Sequence, residues 1–111
     1  IQKFKDNYYL IAREGDTFKT LGKEVEISWR KLARYNERDK HTVLHKGDII
    51  YLKKKRKKAP KQYKKRPHIV QSGESMYSIS QRYGIRIKYL YKMNKLDPSY
   101  KARVGDRLRV R

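Results

Sequence analysis

Shifted by 58 positions, the sequence lies on itself without a gap, residues 10 to 53 against residues 68 to 111. The identical pairs are Ile11/Ile69, Gly15/Gly73, Ile27/Ile85, Leu32/Leu90, Asn36/Asn94, Asp39/Asp97, Gly47/Gly105 and Asp48/Asp106. Eight identities in 44 pairs is a small number, but they fall at glycines, turn formers and apolar positions in the same order. Asp16/Glu74, Thr17/Ser75, Leu21/Ile79, Ile50/Leu108 and Leu52/Val110 add conservative matches. Internal repetition of this kind fixes the organisation of a chain before any fold is named. The chain is two copies of one small module.

Each copy has the same internal grammar. "YYLIA" and "HIVQ" are short and rich in aromatic or β-branched residues, which suits a strand. A glycine turn follows. Phe18, Leu21 and Val25, and in the second copy Met76, Ile79 and Tyr83, then recur at the three- and four-residue spacing of a helix face. Thr17 and Ser75 precede these helices as N-caps, and Asp16 and Glu74 place negative charge near the helix's positive end. A second helix carries Ile27, Leu32 and Tyr35, or Ile85, Leu90 and Met93, with Ser28 a plausible cap and Arg86 a poor one. Asn36 and Asn94 close it, because Asn tolerates the left-handed conformation that a helix end often needs. After a loop, "GDIIYL" and "GDRLRV" read as turn and strand. The expected class is α+β, two βααβ modules, each with two helices packed on a two-stranded antiparallel sheet. About 44 residues per copy leave little core, so each unit is marginally stable.

The expected boundaries are a lead-in at 1–7, module 1 at 8–52, a linker at 53–67 and module 2 at 68–111. Charge separates these segments: of the net +20, residues 1–52 contribute +3, residues 53–67 contribute +10 and residues 68–111 contribute +7. The run "KKKRKKAPKQYKKRPH" is read as an extended cationic spacer, stretched by repulsion and by Pro60 and Pro67. Any polycation of this kind binds anionic polymers as salt falls. Nucleic acid, an anionic membrane or an anionic wall polymer are therefore the competing partners, although specific base reading would need a folded element.

The chain has no cysteine, so disulfides and thiolate chemistry are excluded. No run approaches the roughly 18 apolar residues of a membrane span. His41 and His45 are four apart, but the sequence between and after them reads as loop and strand, and no third ligand has suitable spacing. No cofactor, no metal and no catalytic constellation is expected. The chain starts at Ile1, and we expect a fragment of a longer protein.

These residues resemble the LysM module, whose pattern is an apolar strand, G-D-T-L, I-A, Y-G-I, then L, N and a final G-D-x-L-x-V. "HIVQSGESMYSISQRYGIRIKYLYKMN" with "VGDRLRV" follows it closely. "YYLIAREGDTFKTLGKEVEISWRKLARYN" with "KGDIIYL" keeps Gly15-Asp16-Thr17 but has Val25-Glu26 where the pattern prefers Tyr-Gly. The resemblance implies a non-catalytic βααβ domain that binds N-acetylglucosamine polymers, peptidoglycan or chitin. It also implies that tandem copies serve as the wall-binding region of a bacterial cell-wall hydrolase, of glucosaminidase or N-acetylmuramoyl-L-alanine amidase type. The corresponding location is the bacterial cell envelope, and a monomer is expected.

By position, the resemblance places the glycan between two loops. One wall is Gly15, Asp16, Thr17 and Phe18, repeated as Gly73, Glu74, Ser75 and Met76. The other runs from Asn36 to His41 and includes Asp39, and is repeated from Asn94 to Ser99, with Lys95, Leu96, Asp97 and Pro98. Glycine turns expose backbone amides to an acetamido group, and Phe18, Met76, Leu96 and Pro98 can offer apolar contact. The plainer readings stand beside this: Thr17 and Ser75 as caps, Phe18 and Met76 as core, Asn36 and Asn94 as helix terminators. Trp29 lies off the apolar stripe and is not assigned to the site.

Overall fold

The structure, a computed structural model, describes residues 1–111 and divides into two compact units, Ile1–Lys55 and Arg56–Arg111. In the first, β1 (Gln2–Phe4), β2 (Asn7–Ile11), α1 (Phe18–Val25), α2 (Trp29–Tyr35) and β3 (Ile49–Tyr51) follow in order. In the second, β4 (His68–Ile69), α3 (Met76–Tyr83), α4 (Ile87–Met93) and β5 (Arg107–Leu108) repeat the pattern. Both units are βααβ, and the 58-residue offset holds to the residue: α1 and α2 reappear as α3 and α4, and Leu10↔Ile50 reappears as His68↔Leu108.

Local chemistry explains the correspondence. At the start of α1, the Thr20 N–H donates to Thr17 Oγ1 (3.1 Å) and the Thr17 N–H donates to Thr20 Oγ1 (3.0 Å). Ser75 and Ser78 form the same reciprocal pair at 3.0 and 2.8 Å, so each cap satisfies amides that the helix leaves open. Ser28 stands at the N-cap of α2 but makes no side-chain cap bond. Phe18, Leu21, Leu32, Ala33 and Ile50 form one core, and Met76, Ile79, Ile85, Leu90, Leu108 and Val110 the other. Each large aliphatic or aromatic side chain enclosed this way stabilises its unit by roughly 1.5–3 kcal/mol.

Three expectations are corrected. First, part of the lead-in is folded: β1 pairs antiparallel with β2, Lys3 opposite Tyr8, so the first unit has a three-stranded sheet. Phe4 and Tyr9 both pack against the buried Tyr51, at 6.2 and 5.8 Å between ring centres, which gives the added strand an apolar anchor. Second, Asn36 and Asn94 are not left-handed, with φ of −101° and −99°. The residues after them are, Glu37 at 56° and Lys95 at 54°. Asn36 is buried and uses its amide to bind Leu32 O (2.9 Å) and Tyr51 O (2.9 Å) while accepting from the Tyr51 N–H (2.7 Å). Asn94 does the same with Leu90 O, Arg109 O and the Arg109 N–H. Each Asn staples the end of the second helix to the closing strand.

Third, residues 53–67 are not an extended solvated spacer. The Lys55 side chain is enclosed in the first unit against Glu37. From Arg56 on, the chain is a strap on the second unit: the Arg56 N–H donates to Gly84 O (3.0 Å), the Arg86 N–H to Arg56 O (2.8 Å) and the Ala59 N–H to Val110 O (2.7 Å). Ala59 is fully buried, and Tyr63, in a 3-10 turn at Lys61–Tyr63, sets its ring edge-on to Tyr83 at 5.1 Å. The few apolar residues among the lysines supply a buried edge, and the charges project outward.

Candidate functional site

In the first unit, the loop between β2 and α1 faces the loop between α2 and β3 across a cleft of about 410 Å³. Asp16, Thr17 and Lys19 line one side, Lys40 to Leu44 the other, and Trp29 lies between them. Gly15, with φ of 83°, makes the first turn, a backbone conformation that costs glycine nothing and other residues much. Asp16 closes that turn by accepting the Arg13 N–H at 2.6 Å. That backbone bond, more than the Arg13 guanidinium, holds the Asp16 carboxyl below its ordinary value.

Trp29 is the first residue of α2, and its position depends on Gly22. A methyl group at Gly22 would lie 2.6 Å from the Ile27 carbonyl oxygen and 3.2 Å from Trp29 N, so α1 and the start of α2 meet where no side chain fits. The indole is half-buried against the core and its other surroundings are polar. His41 meets it edge-on with ring centres 5.2 Å apart, and the Lys40 and Lys19 ammoniums lie 5.1 and 5.9 Å from its centre. The cleft therefore offers an aromatic ring with cations beside it, and no nucleophile with an oriented base.

The residues named from sequence divide accordingly. Asp16 and Thr17 line the cleft, and Gly15 shapes it. Phe18 is fully buried, and Met76 keeps only 3% exposure, so both are core and cannot offer a surface to a sugar. Asn36 is a buried staple, and Asn94 holds the matching bonds. The Asp39 carboxylate accepts the His41 N–H (2.8 Å), and that of Asp97 the Ser99 N–H (2.9 Å), so both organise their own loops. The Ser99 hydroxyl and N–H lower the Asp97 carboxyl.

In the second unit Gly73, with φ of 83°, makes the equivalent turn, and the Gln71 N–H donates to Glu74 Oε1 at 2.7 Å. Glu74 also meets His68 Nε2 at 2.8 Å, and His68 Nδ1 is 2.7 Å from the Tyr83 hydroxyl. Burial alone would raise the Glu74 carboxyl, but the bonds from Gln71 and His68, with Arg82 nearby, bring it below its ordinary value. Ser75 is a cap, Lys95 occupies the left-handed position, Leu96 packs on the core, and Pro98 stays exposed.

The wall read from sequence reached Lys40 and His41, and sequence reasoning missed Trp29, Lys19 and Thr42 to Leu44. Trp29 sits outside the apolar stripe because it faces the loops and not the helix pair. A lone tryptophan directly after a helix cap was the available signal. At the matching position the second unit has Ile87, and where the first has Lys40 and His41 the second has Pro98 and Ser99.

The family model described as "LysM domain" matches residues 11–53 and 68–111. A comparison with curated proteins gives no match. Among solved structures, the Bacillus cereus spore cortex-lytic enzyme SleL is similar at 24% identity and a TM-score of 0.40, over 95% of this chain and 22% of that one. The Bacillus megaterium QM B1551 spore cortex-lytic enzyme SleL is similar at 15% identity and a TM-score of 0.38, over 94% of this chain and 22% of that one. The chain thus spans about a fifth of the length of either enzyme. No helix is long and apolar enough to cross a membrane.

Proposed function

Because this chain belongs to the LysM family, whose modules are non-catalytic and generally bind N-acetylglucosamine-containing glycans such as peptidoglycan, we propose that its two units bind peptidoglycan and target an attached cell-wall hydrolase to it. The observation that carries the reading is the cleft of the first unit, where Trp29 lies between two loops with the Lys19 and Lys40 ammoniums beside its ring. A pyranose face stacks on an indole, and flanking cations suit the polar groups of a glycan. Peptidoglycan is favoured over chitin by Lys19 and Lys40 beside the ring, since its peptide stems carry carboxylates and chitin carries none. The attached enzyme is of glucosaminidase or N-acetylmuramoyl-L-alanine amidase type, the location is the bacterial cell envelope, and the chain acts as a monomer.

Shallow sites bind weakly one at a time, and two units on one chain raise the effective concentration for a repeating polymer. Insoluble peptidoglycan should retain the chain at moderate salt, and N-acetylglucosamine oligomers should shift the amides of residues 15–19 and 40–44. Trp29→Ala should weaken binding to the first unit about tenfold, or about 1.4 kcal/mol. Failure of both long oligomers and peptidoglycan to move these amides sinks the reading.

A further inference from the structure

The strap and the end of the second unit build a second surface. Lys58, Lys61, Lys64, Lys65, Arg109 and Arg111 surround a cleft of about 570 Å³, and all six lining side chains are cationic. None of them pairs with a side-chain carboxylate of the chain, whose ion pairs lie elsewhere, and Arg109 Nη2 donates to Arg111 O at 3.2 Å. Nor is the cleft a chance meeting of mobile lysines. The Ala59 N–H is bonded to Val110 O at 2.7 Å, Arg111 Nη1 returns a bond to Ala59 O at 2.8 Å, and Tyr63 anchors the 3-10 turn on Tyr83. The backbone beneath the charges is fixed by the fold.

We propose that this cleft binds a linear phosphodiester polymer without bases, such as a polyol phosphate, independently of the glycan site. Concentrated positive charge between low-dielectric walls attracts polyanions strongly. A tetrahedral phosphodiester presents two non-bridging oxygens per charge, so one group can meet the strap lysines on one side and the arginines on the other. Arginine forks and lysine point charges are both suited to phosphate. Two other polyanionic partners fit less well. Single-stranded nucleic acid is held largely by bases stacking on aromatic side chains, and Tyr63, the one aromatic of the strap, is turned onto Tyr83. An anionic bilayer is gripped best with an apolar anchor, and the exposed large apolar residues are Ile1, Tyr8, Ile11, Val43, Ile69 and Val104, none of them lining the cleft.

The test uses the full chain with poly(glycerol phosphate) and, separately, an N-acetylglucosamine pentamer. Poly(glycerol phosphate) is expected to shift the amides of residues 58–66 and 109–111 and leave those of 16–19 and 40–44 in place. Removing three strap charges in the triple variant K61Q/K64Q/K65Q should lower its affinity about tenfold or more and flatten the salt dependence, while K3Q/K5Q/K46Q, with the same loss of charge, should cost less than about threefold. All six positions are exposed, so both variants should keep the wild-type amide dispersion. Equal losses in the two triples would reduce the effect to net charge and overturn the proposal. So would binding of polygalacturonate, a single-stranded oligonucleotide or anionic vesicles as tightly as the polyol phosphate at matched charge. The pentamer result bears on the glycan site alone, so the two readings fail separately.

Discussion

Lys55 Nζ sits 2.6 Å from Glu37 Oε1, with the lysine side chain fully enclosed and the glutamate side chain 20% exposed. A lysine from the most cationic stretch of the chain is thus an interior residue of the first unit, held against a glutamate in a left-handed turn at φ 56°. Removing one partner of a buried pair strands the other charge away from water. Glu37→Gln should destabilise the first unit by about 3 kcal/mol, near the lower end for buried pairs because Glu37 still reaches solvent. Combining it with Lys55→Met should recover most of the loss. Urea unfolding followed by Trp29 fluorescence reads this directly, since Trp29 is the only tryptophan and lies in the first unit.

The two asparagines make a sharper case, because they were candidates for sugar contact. Asn36→Ala would leave the buried Tyr51 N–H and the Tyr51 and Leu32 carbonyls without their side-chain partner. Unsatisfied buried groups cost about 1–3 kcal/mol each, so a loss of roughly 2–3 kcal/mol in the first unit is expected. Glycan affinity of the fraction still folded should be unchanged. A variant that folds normally yet loses glycan binding would return Asn36 to the site.

Glu26 and Gly84 are equivalent residues, and both close their helix in the left-handed region, at φ 59° and 65°. Only glycine adopts that conformation without a steric penalty. Glu26 is exposed, so Glu26→Gly should relieve the strain at little cost in contacts. The greater freedom of glycine in the unfolded chain offsets part of the gain. A net stabilisation of about 0.5–1 kcal/mol is expected, measured as a higher urea midpoint at unchanged slope.

The repeat was legible because its signals are local and recur at one spacing: Thr17 and Ser75 cap, Gly15 and Gly73 turn, and the apolar stripes keep helical period. What escaped depended on partners far away in sequence. Ala59 looks like a spacer residue among lysines until Val110 receives its N–H, and Trp29 looks misplaced until His41 and Lys40 arrive from the loop. β1 gains its meaning from Tyr51, nearly fifty residues on. The error at Phe18 and Met76 was of another kind. The resemblance suggested a groove wall, while helical periodicity already put both on the buried face, and the periodicity decided.

Acid should destabilise the second unit. Glu74, Asp97 and Asp106 in the second unit all have carboxyls held below their ordinary values, Glu74 against the opposing effect of its burial, Asp97 chiefly by the Ser99 hydroxyl and Asp106 chiefly by the Tyr100 hydroxyl. In the first unit Asp16 is the carboxyl so lowered, chiefly by the Arg13 N–H. A group with a depressed folded-state value binds its proton more readily once unfolded, so its stabilisation is complete above the ordinary value and is lost as pH falls through the folded one. The ordinary values are 4.5 for Glu74 and 3.8 for the aspartates, so the loss begins near pH 4.5 and deepens below it. Protonation of Glu74 also weakens its contact with the Arg82 guanidinium, 3.9 Å away. Amide signals of residues 68–111 should therefore fade as pH falls below about 4.5, and Glu74→Gln should lessen that pH dependence. An unaltered pH dependence in Glu74→Gln would show that this carboxylate does not set the acid unfolding of the second unit.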